Sequence, residues 1–223
     1  MDFRFDVIFN YLPLLLQGMK LTFQLTIIAV AIGTVIGLFI SLCRIAFFKP
    51  VAWLAKAYVD FFRGTPLLVQ IFLIHFGFPQ LFGMRSFPAY LSGTIALSLN
   101  SGAYIAEIFR GGIQSIHKGQ MEAARSLGMS YAQAMFYVIL PQAFKRSIPP
   151  LGNEFIAMLK DSSLVSVIAL QELMMSGRIM QGRSFRPFET WVTVAMLYLV
   201  MTLTISQFVS YLERVFGKDD HGE

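Results

Sequence analysis

Two apolar stretches of this chain carry residues that hydrocarbon does not tolerate without a reason. The run LGNEFIAMLKDSSLVSVI holds Glu154, Lys160 and Asp161, with Ser162 and Ser163 next to them. Glu154, Met158, Asp161 and Val165 fall at i, i+4, i+7 and i+11, the spacing of one helix face. The run ALSLNSGAYIAEIFR places Asn100, Tyr104 and Glu107 on a second face, with Ser98 and Ser101 beside it. A charge at the centre of a membrane helix costs about 2.5–3.5 kcal/mol on insertion scales. One chemistry that repays this is the recognition of a zwitterion. Carboxylates can hold an ammonium group, while Lys160 and hydroxyls hold a carboxylate, in an aqueous cavity between the two faces. A second reading stays open, a packing network in which Lys160 neutralises one acid and Glu107 reaches the inner interface.

These faces need membrane helices to position them, and the composition supplies helices of that kind. Of 223 residues, 56% are hydrophobic and 14% charged, against about 25% charged in ordinary soluble domains. Mean hydropathy is +0.62. The length accommodates about five or six spans of roughly 20 residues and leaves no room for a large soluble domain. The pattern predicts an all-α integral membrane protein, a single domain over 1–223, with spans at about 19–43, 57–78, 88–109, 148–170 and 189–212. The longest loop between them runs over about 110–146. Asp2, Arg4 and Asp6 do not form the basic start of a secretory signal. Phe3, Val7, Ile8 and Tyr11 recur at helical spacing and predict an amphipathic helix lying on the membrane surface.

The net charge of +5 reads as topology rather than as a nucleic-acid signal. Arg44, Lys49, Lys56, Arg110, Lys118, Arg125, Lys145, Arg146, Arg214 and Lys218 fall in one set of loops. Arg4, Arg85, Arg178, Arg183 and Arg186 fall in the other. The richer set is expected in the cytoplasm, with the N-terminus outside and the C-terminus inside. Trp53, Tyr58, Phe188 and Trp191 mark span edges.

Other residues predict how the spans behave. DFFRGTPLLVQ opens the second span. Asp60 and Arg63 can pair at i, i+3, and Gly64 with Pro66 predicts a kink or hinge, on which a gate could be built. Ala29, Gly33, Gly37 and Ser41 form a stripe of small residues at every fourth position. Such a stripe admits a close helix partner, from the same chain or from a second subunit. Much chemistry is missing. There is no G-x-x-x-x-G-K-S/T phosphate loop, no metal-spaced His/Cys cluster and no G-x-S-x-G elbow. His75, His117 and His221 are isolated, and Cys43 has no disulfide partner in the chain. No catalytic residue and no metal ligand is expected.

The stretch GQMEAARSLGMS is polar and helix-forming, and it sits in the longest loop of an apolar chain. A helix over 119–127 is predicted to end at Gly128, where a left-handed turn favours glycine. Ser130 and Gln133 form a capping box that starts a second helix, expected to end before Pro141. The two make a compact knob whose Ala123 and Ala124 leave a slim face flanked by Glu122 and Arg125.

Glu122-Ala123-Ala124, then Gly128, then Val138, Leu140 and Pro141 resemble the EAA signature of ABC-importer permeases, with Val138 where the pattern usually has isoleucine. RGTPLLVQ, LSLNSGAYIAEIFRGGI and LPQAFKRSIPPLGNEFIAMLKDSSLVSVI extend the resemblance over nearly the whole chain, to the histidine, glutamine, arginine and cystine permeases. The resemblance implies the five-span type I importer fold shared with methionine-type permeases, in a bacterial inner membrane. It implies two cytoplasmic ABC ATPase subunits that bind ATP and Mg2+, a second permease subunit that is identical or homologous, and an external amino-acid-binding protein. This chain would bind no cofactor and no nucleic acid. Glu122, Ala123, Ala124, Arg125 and Gly128 would then be the coupling helix docked on the ATPase. Asn100, Tyr104, Glu107, Glu154, Lys160, Asp161, Ser162 and Ser163 would line the path of a polar amino acid, cystine and basic amino acids included, moved by alternating access. Gly64 and Pro66 would be the hinge. The alternative is an ion-coupled secondary carrier using Glu107, Glu154 and Asp161, which inverted repeats would favour; none is visible. A third class, a signalling or scaffold membrane protein, would use the polar faces for packing alone.

Overall fold

The computed structural model describes residues 3–45 and 48–216, so Asp2, Lys218 and His221 lie outside the described residues. The described residues fold as helices and connecting turns, without a strand. Helix α1 runs Phe5–Arg44 without a break. At 1.5 Å per residue it is about 60 Å long, twice the hydrocarbon thickness of about 30 Å. The separate surface helix expected near the N-terminus is instead the first turns of α1. Val7, Ile8 and Tyr11 pack against a core formed by Leu15, Leu159, Leu173, Met180 and Val194. That burial extends the helix outward despite Pro13 within it.

Helix α4 (Ala89–Gln114) is the principal partner of α1. The small-residue stripe makes that seam. Ala29, Gly33, Gly37 and Ser41 are all buried. A Cβ on Gly33 would lie 3.0 Å from the Ser101 side chain, and one on Gly37 would lie 2.7 Å from Ile105. The close approach is therefore satisfied within the chain.

Between them the second apolar segment is broken in two. Helix α2 (Lys49–Gly64) and helix α3 (Leu67–Gln80) meet at 107°. Thr65 is extended and Pro66 caps α3, since proline has no N–H for the helix ladder. Within α3 a π turn covers Leu73–Gly77. It buries His75, whose Nδ1 is 2.9 Å from Ser92 Oγ on α4.

Beyond α4, helix α5 (Lys118–Ser126) and the start of helix α6 (Tyr131–Ile168) form the knob. The capping box of Ser130 and Gln133 is present, and Gly128 has φ +87°. The second knob helix does not stop before Pro141. A π turn over Met135–Ile139 precedes the proline, and the helix continues through Pro141, Pro149 and Pro150 to Asp161. The widened turn relieves the ladder ahead of the proline, so the ring that was expected to end the helix is accommodated. From Ser162 to Ile168 the helix tightens to 3-10 winding.

The segment expected as a loop between the fourth and fifth spans contains helix α7 (Leu173–Ser184), closed by Phe185 at φ 55°. Helix α8 (Pro187–Phe216) completes the fold. Among the described residues α1 and α8 are long and apolar enough to cross a membrane, and the bent pairs α2–α3 and α6–α7 also qualify if each is one span.

Candidate functional site

Two places collect the candidate residues. The first lies where α1, α2 and α4 meet, with α6 packed on α4. Glu107 on α4 faces three guanidinium groups. Arg44 at the end of α1 pairs with it closely, Arg110 lies at 2.6 Å and Arg63 at 3.7 Å. The i, i+3 pair expected between Asp60 and Arg63 is displaced by this arrangement. The Glu107 carboxylate is 18% exposed, and a poorly solvated anion draws cations more strongly than exposed Asp60 does. Arg63 also lies over the Tyr104 ring, 5.2 Å from its centroid. That is within cation–π range.

On the facing helix, Glu154 is half-buried, within electrostatic reach of both Arg63 and Asp161. The buried Ser101 hydroxyl lies beside Glu154 without meeting hydrogen-bond geometry, and the Ser98 hydroxyl is likewise buried without a partner. Unsatisfied buried hydroxyls are uncommon and mark places where water or another molecule is expected. Asp161 and Lys160 are exposed. The single face predicted through Glu154, Met158, Asp161 and Val165 does not persist. Met158 and Val165 enter the core with Leu25 and Ile71; for Val165 the 3-10 winding that begins after Asp161 changes the angular step per residue. Ser162 is buried and donates to the carbonyl of Leu159 at 2.7 Å, while Ser163 is half-buried.

Asn100 is placed differently. It is buried and donates to Gln70 Oε1 at 2.9 Å and to the Phe62 carbonyl at 3.4 Å. Gln70 in turn donates to the carbonyls of Phe62 and Thr65, at 2.9 and 3.0 Å. These amides satisfy the backbone groups freed by the break at Gly64 and Pro66. Asn100 therefore clasps the break between α2 and α3 from α4. Gly64 is exposed, and a Cβ there would meet nothing within 4 Å. An apolar groove of about 860 Å³ between α1, α6 and α8, lined by Phe23, Ile148 and Phe155 among others, contains none of these polar candidates.

The second place is the knob. Glu122, Ala123, Arg125 and Gly128 are exposed, while Ala124 is buried against the rest of the loop. Arg125 donates to the Met129 carbonyl at 2.9 Å and so stitches the corner. His117 caps α5 by accepting from the Gly119 N–H at 3.1 Å. Leu127 is 82% exposed at the tip. A large apolar side chain held out on a well-capped corner is suited to burial against a partner.

Sequence reasoning passed over Glu172. It is fully buried, and it caps α7 by accepting from the N–H groups of Met174 and Met175, both at 2.8 Å. It also accepts from Thr22 Oγ1 at 3.3 Å and from the Tyr198 hydroxyl at 3.1 Å. One carboxylate thus ties α1, α7 and α8 together. The available signal was a lone acid in a long uncharged run, 162–177.

Residues 33–218 match the family described as the binding-protein-dependent transport system inner membrane component. The chain is 42% identical to the probable glutamine ABC transporter permease protein GlnM of Bacillus subtilis (strain 168), over 96% of this chain and 98% of that one. It is 36% identical to the arginine transport system permease protein ArtQ of the same organism, over 99% and 100%. Among solved structures, an amino acid ABC transporter crystallised with histidines matches with a TM-score of 0.90 at 49% identity, covering 96% of this chain and 99% of that one. The fold also matches the inward-facing MetNI methionine ABC transporter, with a TM-score of 0.79 at 20% identity over 92% and 97%.

Proposed function

The chain belongs to the family of binding-protein-dependent transport system inner membrane components, and on that premise we propose how it works as the membrane subunit of an ATP-driven importer of a polar L-amino acid. The observation that carries this reading is the family match over 33–218 combined with the exposed, doubly capped knob at 118–134. The chain is an ABC amino-acid permease, a transmembrane subunit of a bacterial inner membrane and not itself the ATPase.

In the proposed assembly two permease subunits, identical or homologous, stand on two ATPase subunits that bind ATP and Mg2+. An external binding protein delivers the amino acid. Five spans cross the membrane, at about 19–43, 57–78, 88–109, 148–170 and 189–212, and the loop of about 110–146 is cytoplasmic. The N-terminus is outside and the C-terminus inside. The excess of Lys and Arg in the loops on one side supports this orientation. Glu122, Ala123, Ala124, Arg125 and Gly128 dock in an ATPase groove. Closure of the ATPase changes the contact at the knob and so biases the spans between outward- and inward-facing packings. The substrate passes the polar ground between α4 and α6, with Glu154 and Asp161 attracting its ammonium group. Tyr104, Glu107, Lys160 and Ser163 border that path. Gly64 and Pro66 serve as the joint of a gate.

The test is uptake by proteoliposomes holding the permease with its ATPase, with the binding protein supplied outside. Uptake of glutamine or arginine should require internal ATP and be abolished by a non-hydrolysable analogue. Uptake driven by a proton or sodium gradient with no ATP present would sink this reading.

A further inference from the structure

Three of the five cations on the cation-poor side of the chain, Arg178, Arg183 and Arg186, fall in one short segment. The charge rule that orients the spans gives no reason for them there. They stand on α7 and on the corner that joins it to α8. Arg186 pairs with Glu189 at 3.6 Å. Arg178 and Arg183 are exposed and make no ion pair or hydrogen bond among the described residues. The neighbouring acids, Glu172 and Glu189, are buried and have donors of their own. The segment therefore shows positive charge that nothing in the chain offsets.

Phe185 stands between these arginines and is itself unusual. Its φ of 55° is a left-handed conformation that a bulky residue seldom adopts, and it is 84% exposed. The corner that holds it is well fastened. The Phe185 N–H donates to the Gln181 carbonyl at 2.9 Å, the Arg186 N–H to Ser184 Oγ at 3.3 Å and the Thr190 hydroxyl to the Arg186 carbonyl at 2.8 Å. Phe188 meets Phe3 edge-on at 6.1 Å. A fixed backbone thus holds an aromatic ring outward at a strained dihedral, and Arg183 and Arg186 on either side keep that ring out of hydrocarbon. Arginine and aromatic residues are enriched at protein interfaces, and strained residues gather where ligands are clamped. The place in the fold selects the partner. Helix α6 runs from the knob to Ile168 and leads into α7, so the corner stands at the far end of the rod from the knob. From Tyr131 to Asp161 the rod is already about 45 Å long. An ATPase docked on the knob is therefore out of reach. A second copy of the chain fits poorly, because a two-fold contact would set Arg178 and Arg183 against themselves.

We propose that the α7–α8 corner is the seat of the external binding protein, with Phe185 entering an apolar recess of that protein and Arg178 and Arg183 meeting acidic residues at its rim. This rests on the outward placement of the corner and on the delivery step of the preceding section. The arginines steer the encounter. The ring is fixed before contact and so loses little freedom on burial.

The experiment measures equilibrium binding of a fluorescently labelled binding protein, the one that sustains uptake in the proteoliposome test, to the permease–ATPase complex in nanodiscs. Phe185→Gly should weaken binding about tenfold to a hundredfold at every salt concentration. Glycine adopts φ 55° without strain, so this variant keeps the corner. Arg178→Gln combined with Arg183→Gln should weaken binding about tenfold at low salt and flatten its salt dependence. Arg178→Lys combined with Arg183→Lys should retain most of the affinity. Wild-type affinity in Phe185→Gly or in the double glutamine variant overturns the proposal and leaves the importer reading standing. So does a loss of affinity that comes with a lower melting midpoint of the complex, since that marks a lost fold contact. A weakening that disappears in nanodiscs without anionic lipid also overturns it, because the arginines would then act on the bilayer. Placement is read separately. Gly182→Cys, at a position where a Cβ meets nothing within 4 Å, should react with an impermeant thiol reagent on whole cells when Cys43 is replaced by serine. A cysteine at 182 that stays unlabelled overturns the outward placement and this assignment together.

Discussion

Glu107 and Glu172 keep negative charge inside the protein by opposite means. Glu107 is surrounded by guanidinium groups from three helices. Glu172 has no cation partner among the described residues and is met by two backbone N–H groups, a hydroxyl from Thr22 and a phenol from Tyr198. The second solution is the more brittle, because every donor is fixed by a helix end or a packed side chain. Glu172→Gln keeps the shape but turns one acceptor oxygen into an N–H2 that faces donors. One buried polar group left without a partner costs about 1–3 kcal/mol. The apparent melting midpoint of the solubilised complex should therefore fall by several degrees, on the order of 2–4 °C per kcal/mol for a chain of this size. Uptake per folded transporter should stay near wild type, and a thermal-shift series with parallel uptake assays separates the two effects. The matching change at Glu107 has a different outcome. Glu107→Gln removes the carboxylate that three arginines share, so assembly should fail or weaken strongly in size-exclusion chromatography.

At the scale of helices, small residues decide what is welded and what can bend. Gly37→Leu should abolish a stable complex, because even a Cβ at this position would sit 2.7 Å from Ile105 and 2.9 Å from the Ala106 backbone. Gly111→Ala, on α4 with nothing within 4 Å, should be tolerated and gain slightly in helix propensity, and purification yield compares the two. Gln70→Leu should loosen the α2–α3 break by removing the amide that binds the Phe62 and Thr65 carbonyls. Raised basal ATPase activity with reduced uptake is the expected sign. The α1 stripe, the break at Gly64 and Pro66 and the cap at Ser130 were legible from sequence, because each depends on local sterics or on a near-neighbour hydrogen bond. The course of the chain through Pro141 was not legible. A single π turn overrides the proline, and no residue type announces a π turn. Helix α7 was missed because LMMSGRIMQGRS holds two glycines and two arginines in 12 residues, and its stability comes from contacts with α1 and α8 and from Glu172. Asn100 stood out as a polar residue in an apolar run, but its partner Gln70 lies 30 residues away, beyond the reach of helical spacing.

At the scale of the whole molecule, α6 is one continuous helix that starts in the knob and carries Glu154 into the membrane body. From Tyr131 to Glu154 it spans about 35 Å at 1.5 Å per residue. Displacement of the knob is thereby delivered to the wall of the proposed cavity along covalent structure rather than through a chain of soft contacts. Gly128→Asp should leave the complex assembled and membrane-inserted but reduce uptake more than tenfold, since φ +87° disfavours a side chain and the added charge would enter the ATPase groove. ATP hydrolysis and uptake measured in the same proteoliposomes should then diverge. The π turn over Met135–Ile139 gives this rod a further property, an angular phase. A π turn takes up one residue more than the α-turn it replaces within a single wider turn, so the helix on either side keeps its phase, whereas each residue of regular α-helix rotates it by about 100°. Deleting Val138 should convert the turn to regular α-helix and leave the knob facing nearly as before, while deleting one residue between the turn and Glu154 should swing the knob by about that angle around the rod; uptake by the two variants compares them. The widened turn is thus the place where the rod takes up slack between two otherwise independent bodies. A single residue lost from the regular part of the rod would leave an intact permease and an intact ATPase pointing past one another.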